Sequence, residues 1–130
     1  MRILIADDSV IFRERLIRLM NDIENIRSVR VAETINETVE LSKTLHPDVV
    51  LLDLHMPDGS GMDIIKTIRD DSPGSVVMVC TGFPYAQYRD LSIQRGAGYF
   101  YDKNHDIEKM IRKLKEMADS EPLEKRHEGK

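Results

Sequence analysis

Apolar residues along this chain follow two rhythms. Ile3-Leu4-Ile5-Ala6, Val49-Val50-Leu51-Leu52 and Val76-Val77-Met78-Val79-Cys80 are short runs with no polar alternation, the pattern of strands buried on both faces. Between them, apolar positions recur at helical spacing. Phe12, Leu16, Leu19, Met20 and Ile23 step by 4, 3, 1 and 3, which predicts an amphipathic helix with Ser9 as its N-cap. Residues 29–32 read as a second strand. Residues 36–45 read as a weaker helix with Val39, Ser42 and Leu45 inward, broken by His46-Pro47-Asp48. Residues 57–61 form a loop, after which Met62, Ile65 and Ile68 resume a helix. Residues 85–95 predict a fourth helix, ended by Gly96 where a left-handed residue is wanted. Tyr99-Phe100-Tyr101 is a short fifth strand. Ile107, Met110, Ile111, Leu114 and Met117 step by 3, 1, 3 and 3 along the last helix. The folded unit is thus expected over residues 1–118, with a frayed polar tail over 119–130.

Five strands alternating with five helices imply right-handed crossovers, a parallel sheet and helices on both of its faces. A chain of 130 residues is one domain and buries about two-thirds of its unfolded surface. Its 19 basic and 23 acidic residues, net −4, argue against a nucleic-acid module, which needs a basic face. No apolar run approaches the ~20 residues of a membrane-spanning helix. The N-terminus turns acidic at Asp7-Asp8, unlike a signal peptide, and the single Cys80 points to a reducing compartment. A cytoplasmic domain that neither enters a membrane nor binds nucleic acid directly is expected.

In a doubly wound sheet the site lies beyond the carboxyl ends of the strands, at the topological switch point. There the first strand ends in Asp7-Asp8, the third in Asp53, the fourth in Thr81 and the fifth in Lys103. One aspartate after a strand is most often a cap or turn residue; four of five strand ends carrying this set is harder to dismiss. Two like charges 4 Å apart repel by about 4 kcal/mol at an effective dielectric near 20. Lys103 supplies one cation, and a divalent ion that takes oxygen ligands, such as Mg²⁺, fits the remainder. No histidine or cysteine cluster offers a zinc alternative. With metal and lysine present, Asp53 could act as a nucleophile toward a phosphoryl group. Thr81 and Lys103 would then stabilise the charge on its oxygens.

These residues carry a resemblance. Leu51-Leu52-Asp53-Leu54-His55-Met56-Pro57, with Gly61 following, resembles the phosphoacceptor motif of response-regulator receiver domains of two-component signalling. Asp7-Asp8 is similar to their acidic pair, Thr81-Gly82 to their hydroxyl position, and the segment from Gly96-Ala97 to Lys103 to their lysine motif. The likeness, to single-domain chemotaxis receivers in particular, covers roughly residues 1–118. It implies a flavodoxin-like sheet with strand order 2-1-3-4-5. It also implies that Asp53 takes a phosphoryl group from a phosphohistidine on a sensor histidine kinase or a histidine phosphotransfer protein. Asp8, Asp53 and the backbone carbonyl of His55 would hold Mg²⁺, with Asp7 acting through water. Thr81 and Phe100 would be the switch pair, altering how the face of helix 4, strand 5 and helix 5 binds a downstream protein. The domain would catalyse its own phosphotransfer and dephosphorylation and turn over no separate substrate.

Departures from the family pattern stand beside the likeness. Asn104 follows Lys103 where the family usually has proline, often after a cis peptide. Phe100 lacks the hydroxyl of a tyrosine. His55 and Phe83 fall where similar proteins tune the lifetime of the phosphate. Cys80 and the methionines Met20, Met62, Met110 and Met117 read as packing, and His46, His105 and His127 as solvated residues without partners. A stand-alone receiver is the first expectation. The regulatory half of a longer DNA-binding transcription regulator and an Asp53-dependent phosphoesterase are the alternatives. A haloacid-dehalogenase-type phosphatase would want a second aspartate where this chain has His55.

Overall fold

The computed structural model describes residues 1–120. In chain order the main elements are β1 (Arg2–Ala6), α1 (Val10–Met20), β2 (Ser28–Ala32), α2 (Ile35–Leu45), β3 (Val49–Leu52), α3 (Ile65–Asp71), β4 (Val76–Thr81), α4 (Ala86–Arg95), β5 (Tyr99–Asp102) and α5 (Ile107–Asp119). The five strands form one sheet, ordered β2-β1-β3-β4-β5, parallel throughout. This is the doubly wound, flavodoxin-like arrangement that the uninterrupted apolar runs anticipate.

Successive strand residues point to opposite faces, and both faces are covered. Ile3, Ile5, Val49, Leu51, Met78 and Cys80 pack with Leu16 and Met20 of α1 and Ile107, Met110, Leu114 and Ala118 of α5. Leu4, Ala6, Val50, Leu52, Val77 and Val79 pack on the other side with Ile65 and Ile68 of α3 and with half-buried side chains of α2 and α4. No described helix is long and apolar enough to cross a membrane.

Several local expectations shift. Leu19 is 40% exposed, because the buried stripe of α1 follows Leu16 and Met20, one turn apart, and Leu19 sits at its edge. Ile23 lies past the end of α1 yet is buried. The inward face of α2 is small and polar: Thr38 and Ser42 are buried, while Val39 and Leu45 are half-buried. The loop at 57–61 contains a two-residue hairpin pairing His55–Met56 with Gly59–Ser60. A 3₁₀ turn, Gly61–Ile64, then leads into α3. All peptide bonds described are trans, including Lys103-Asn104. The polar tail was expected from residue 119; Asp119 closes α5, and residues 121–130, including His127, lie outside the described part.

Two ties fix the loop that follows β3. The Asp58 carboxylate accepts the Ile35 N–H at 2.7 Å and the Asn36 N–H at 3.2 Å, docking the loop on the N-terminus of α2. The Ile35 bond leads in holding the Asp58 carboxyl below its ordinary value. Gly61 comes so close that a Cβ there would collide with the Asp53 carbonyl oxygen, and its N–H donates to Leu54 O at 2.9 Å. Only glycine permits that approach.

Candidate functional site

The parallel ladder continues one residue beyond the strands, into the site. Asp7, just after β1, donates its N–H to Ala32 O at 3.0 Å; Asp53, just after β3, donates to Ala6 O at 2.9 Å; and Lys103, just after β5, donates to Thr81 O at 2.9 Å. Each functional side chain therefore hangs from a backbone already fixed by the sheet. Asp7 and Asp53 are 2% and 6% exposed, and Asp8 is exposed. One carboxylate oxygen from each of the three lies within 4.8 Å of the others.

Lys103 Nζ bridges the two buried carboxylates, 2.8 Å from Asp7 Oδ2 and 3.1 Å from Asp53 Oδ2. The remaining oxygens take backbone donors: the Ser9 N–H reaches Asp7 Oδ1 at 2.9 Å, and the His55 N–H reaches Asp53 Oδ1 at 3.1 Å. Ser9 also caps α1, its Oγ accepting the Phe12 N–H at 3.3 Å. Burial pushes the Asp7 carboxyl up; its bonds to Lys103 and Ser9 offset only part of that, and the Asp53 charge adds to it. Burial pulls the Lys103 ammonium down, but the Asp7 hydrogen bond and the two carboxylate charges outweigh it and lift the pKa above its ordinary value. Burial pushes the Cys80 thiol up to about 12, so this core cysteine is no nucleophile at neutral pH.

Thr81 ends β4 fully buried, its Oγ1 accepting the Phe83 N–H at 3.1 Å. Phe100, paired with Val79 in the sheet, is half-buried against the core on the α4 side. The structure thus gathers Asp7, Asp8, Asp53 and Lys103, with Thr81 tied to Lys103 through the backbone. Three arrangements go beyond the sequence expectations. His55 packs against Phe83 with ring centroids 4.3 Å apart and planes tilted by 41°, and Tyr88 and Tyr85 extend the row. Lys103 Nζ sits 4.5 Å from the centroid of the Phe12 ring. His105, expected to be partnerless, instead places Nδ1 2.8 Å from Asp102 Oδ2. The Asn104 N–H, foremost, and His105 hold the Asp102 carboxyl below its ordinary value, and Asp102 Oδ1 accepts that N–H at 2.8 Å. This turn carries the loop in which the family usually has proline. The spacing of Asp102 and His105 was the available sign, and it is a weak one.

The model of the family described as response regulator receiver domain matches residues 3–115. The chain belongs to that family. Among curated relatives, this receiver is 33% identical to a protein-glutamate methylesterase/protein-glutamine glutaminase 1 of Methanosarcina acetivorans, over 94% of this chain and 37% of that protein. It is 27% identical to the response regulator GacA of Pseudomonas aeruginosa, over 89% of this chain and 54% of that one. The chain thus spans about a third to a half of the length of these two relatives. In fold it is similar to a CheY-like response regulator receiver domain protein from Methanospirillum hungatei (TM-score 0.80, 24% identity, 98% of each chain covered).

Proposed function

We propose that this receiver takes a phosphoryl group onto Asp53 from a phosphohistidine of a sensor histidine kinase or histidine phosphotransfer protein, and that the modified domain changes its affinity for a downstream protein. The observation that carries the reading is the bridge from Lys103 Nζ to Asp53 Oδ2 and Asp7 Oδ2, a buried nucleophile with its cation in place. In the transfer, a carboxylate oxygen of Asp53 attacks phosphorus, the N–P bond breaks, and the imidazole leaves with its electron pair. Lys103 meets the charge on the transferring oxygens, and the Thr81 hydroxyl is the second donor on that side.

Three carboxylates against one ammonium leave two negative charges uncompensated, which suits a divalent cation. Asp8, Asp53 and the His55 backbone carbonyl would hold Mg²⁺, with Asp7 acting through water. The ion, when bound, supplies charge neutralisation at the phosphoryl oxygens. Phe100, facing α4, would follow Thr81 and pass the change to the α4–β5–α5 face. The reading carries a cytoplasmic location with it, and a receiver domain over residues 1–118 that acts as a phosphorylation-dependent switch. The relatives' greater length keeps a second reading in play: a receiver joined to an output domain, either an enzyme or a DNA-binding one.

Intact mass after incubation with a small acyl-phosphate donor tests the central claim. A single phosphoryl adduct that needs Mg²⁺ and is absent in Asp53→Asn is expected. An adduct of full stoichiometry in Asp53→Asn refutes Asp53 as the acceptor.

A further inference from the structure

Lys103 has a third neighbour. Its side chain is 18% exposed, and its ammonium lies 4.5 Å from the centroid of Phe12, well inside the ~6 Å reach of a cation–π contact. Phe12 belongs to the first turn of α1, where the Ser9 cap holds its backbone. Its ring packs against the core shared by α1 and α5. The platform is therefore fixed from two sides. The lysine is anchored at its backbone by the bond to Thr81 O and at its tip by the two carboxylates; the four-carbon stem between them is flexible.

We propose that Phe12 is a positioning residue for Lys103, its ring face holding the ammonium beside Asp53 before and after Asp53 is phosphorylated. The inference rests on the reading of Asp53 as phosphoacceptor. Of the two carboxylates that hold Lys103, one changes: once Asp53 is an acyl phosphate, its charge sits on phosphoryl oxygens farther out from the backbone, and the ionic partners of the ammonium are no longer where they were. A ring face attracts the cation at a point set by α1, whatever the state of Asp53. An aliphatic side chain would fill the same space without that attraction. The half-buried pair of Lys113 and Tyr99, 5.4 Å apart, has no such role, because Tyr99 stands at the start of β5, the end of the strand away from the carboxylates.

The test separates ring shape from ring charge. Phe12→Leu keeps an apolar filling, Phe12→Tyr keeps the ring, and 3,4,5-trifluorophenylalanine at position 12 keeps the shape while depleting the electron-rich face. With a small acyl-phosphate donor and Mg²⁺, adduct formation is expected to slow about threefold to thirtyfold in Phe12→Leu and in the fluorinated protein. Phe12→Tyr should stay within about twofold of wild type. In the metal-free protein, ¹³C relaxation of the Lys103 ε-carbon should report a more mobile ammonium in the same two proteins. A fluorinated protein with wild-type rate and wild-type ε-carbon order overturns the proposal, leaving the ring a space-filler. If Phe12→Leu fails to fold, the near-isosteric fluorinated protein decides alone. If wild type forms no adduct, the phosphoacceptor reading falls by itself, and the ε-carbon order still decides whether the ring positions the lysine.

Discussion

Helices α4 and α5 flank the same strand and are seated on it very differently. On one side of β5, α5 buries Ile107, Met110, Leu114 and Ala118 in the core that also holds Tyr99 and Tyr101. On the other side, α4 fully buries only Ser92, sets Tyr88 and Leu91 half-buried beside Phe100, and leaves Ile93 46% exposed. The site is divided along the same line. Lys103 and Phe12 stand on the α1–α5 side, where packing fixes them; Thr81 leads through Phe83 and Tyr85 into α4. The firmly packed half holds the charges, and the thinly packed half is the one whose displacement costs least. A modification at Asp53 therefore has a rigid wall to push from and a loose element to push.

The largest effect that tests this contrast is on stability. Leu114→Ala, emptying a fully buried site of α5, should cost about 2–5 kcal/mol in denaturant unfolding, whereas Ile93→Ala on α4 should stay within about 0.5 kcal/mol. Equal losses would erase the distinction between the two helices.

Next comes the chemistry of the two halves. Lys103→Ala should slow adduct formation about a hundredfold, the usual cost of removing one charge-stabilising donor, with Mg²⁺ affinity retained. Thr81→Ala should still form the adduct. Its loss should be in the response: phosphorylation should change amide exchange across α4 in wild type by about tenfold, and in Thr81→Ala by much less. An α5 that responds more than α4 would reverse the assignment of halves.

The same contrast governs what could be read before the fold was known. Strands β1, β3 and β4 and helix α5 were legible because burial on both faces leaves unbroken apolar runs, and burial on one face leaves a strong helical period. The α4 helix was the faintest, since a helix that buries only Ser92 imposes no apolar stripe on its residues. The hairpin at His55–Met56 and Gly59–Ser60 is too short to leave any period. Asp7, Asp8, Asp53, Thr81 and Lys103 stood out because each lies within two residues of the end of an apolar run. Phe12 did not, because its place in the helical stripe of α1 is equally that of a core residue. The Asp102–His105 pair depends on the path of a turn, which three residues of spacing do not specify.

The smallest effect concerns the charge stored in the firm half. Burial first, and then the Asp53 charge, raise the Asp7 carboxyl above its ordinary value of 3.8 against the pull of Lys103 and Ser9. A group whose pKa is higher folded than unfolded contributes most to stability below its unfolded value, and that contribution is lost as pH rises through the folded one. At pH 7 without metal, the ionised Asp7 is therefore a cost to the fold. Asp7→Asn keeps an oxygen for the Ser9 N–H and removes the charge, so its melting temperature should exceed that of wild type by about 2–4 °C at pH 7. The margin should narrow as the pH falls toward 4, where wild type regains the proton. Mg²⁺ at a hundred times its dissociation constant should then stabilise wild type by about 2.7 kcal/mol and the variant by less, inverting the order. Ile93→Ala, on the half that stores no charge, should show neither the pH dependence nor the inversion. A constant margin between Asp7→Asn and wild type from pH 7 to pH 4 would mean that the variant gains from packing, and that the strain lies elsewhere than in the carboxylates.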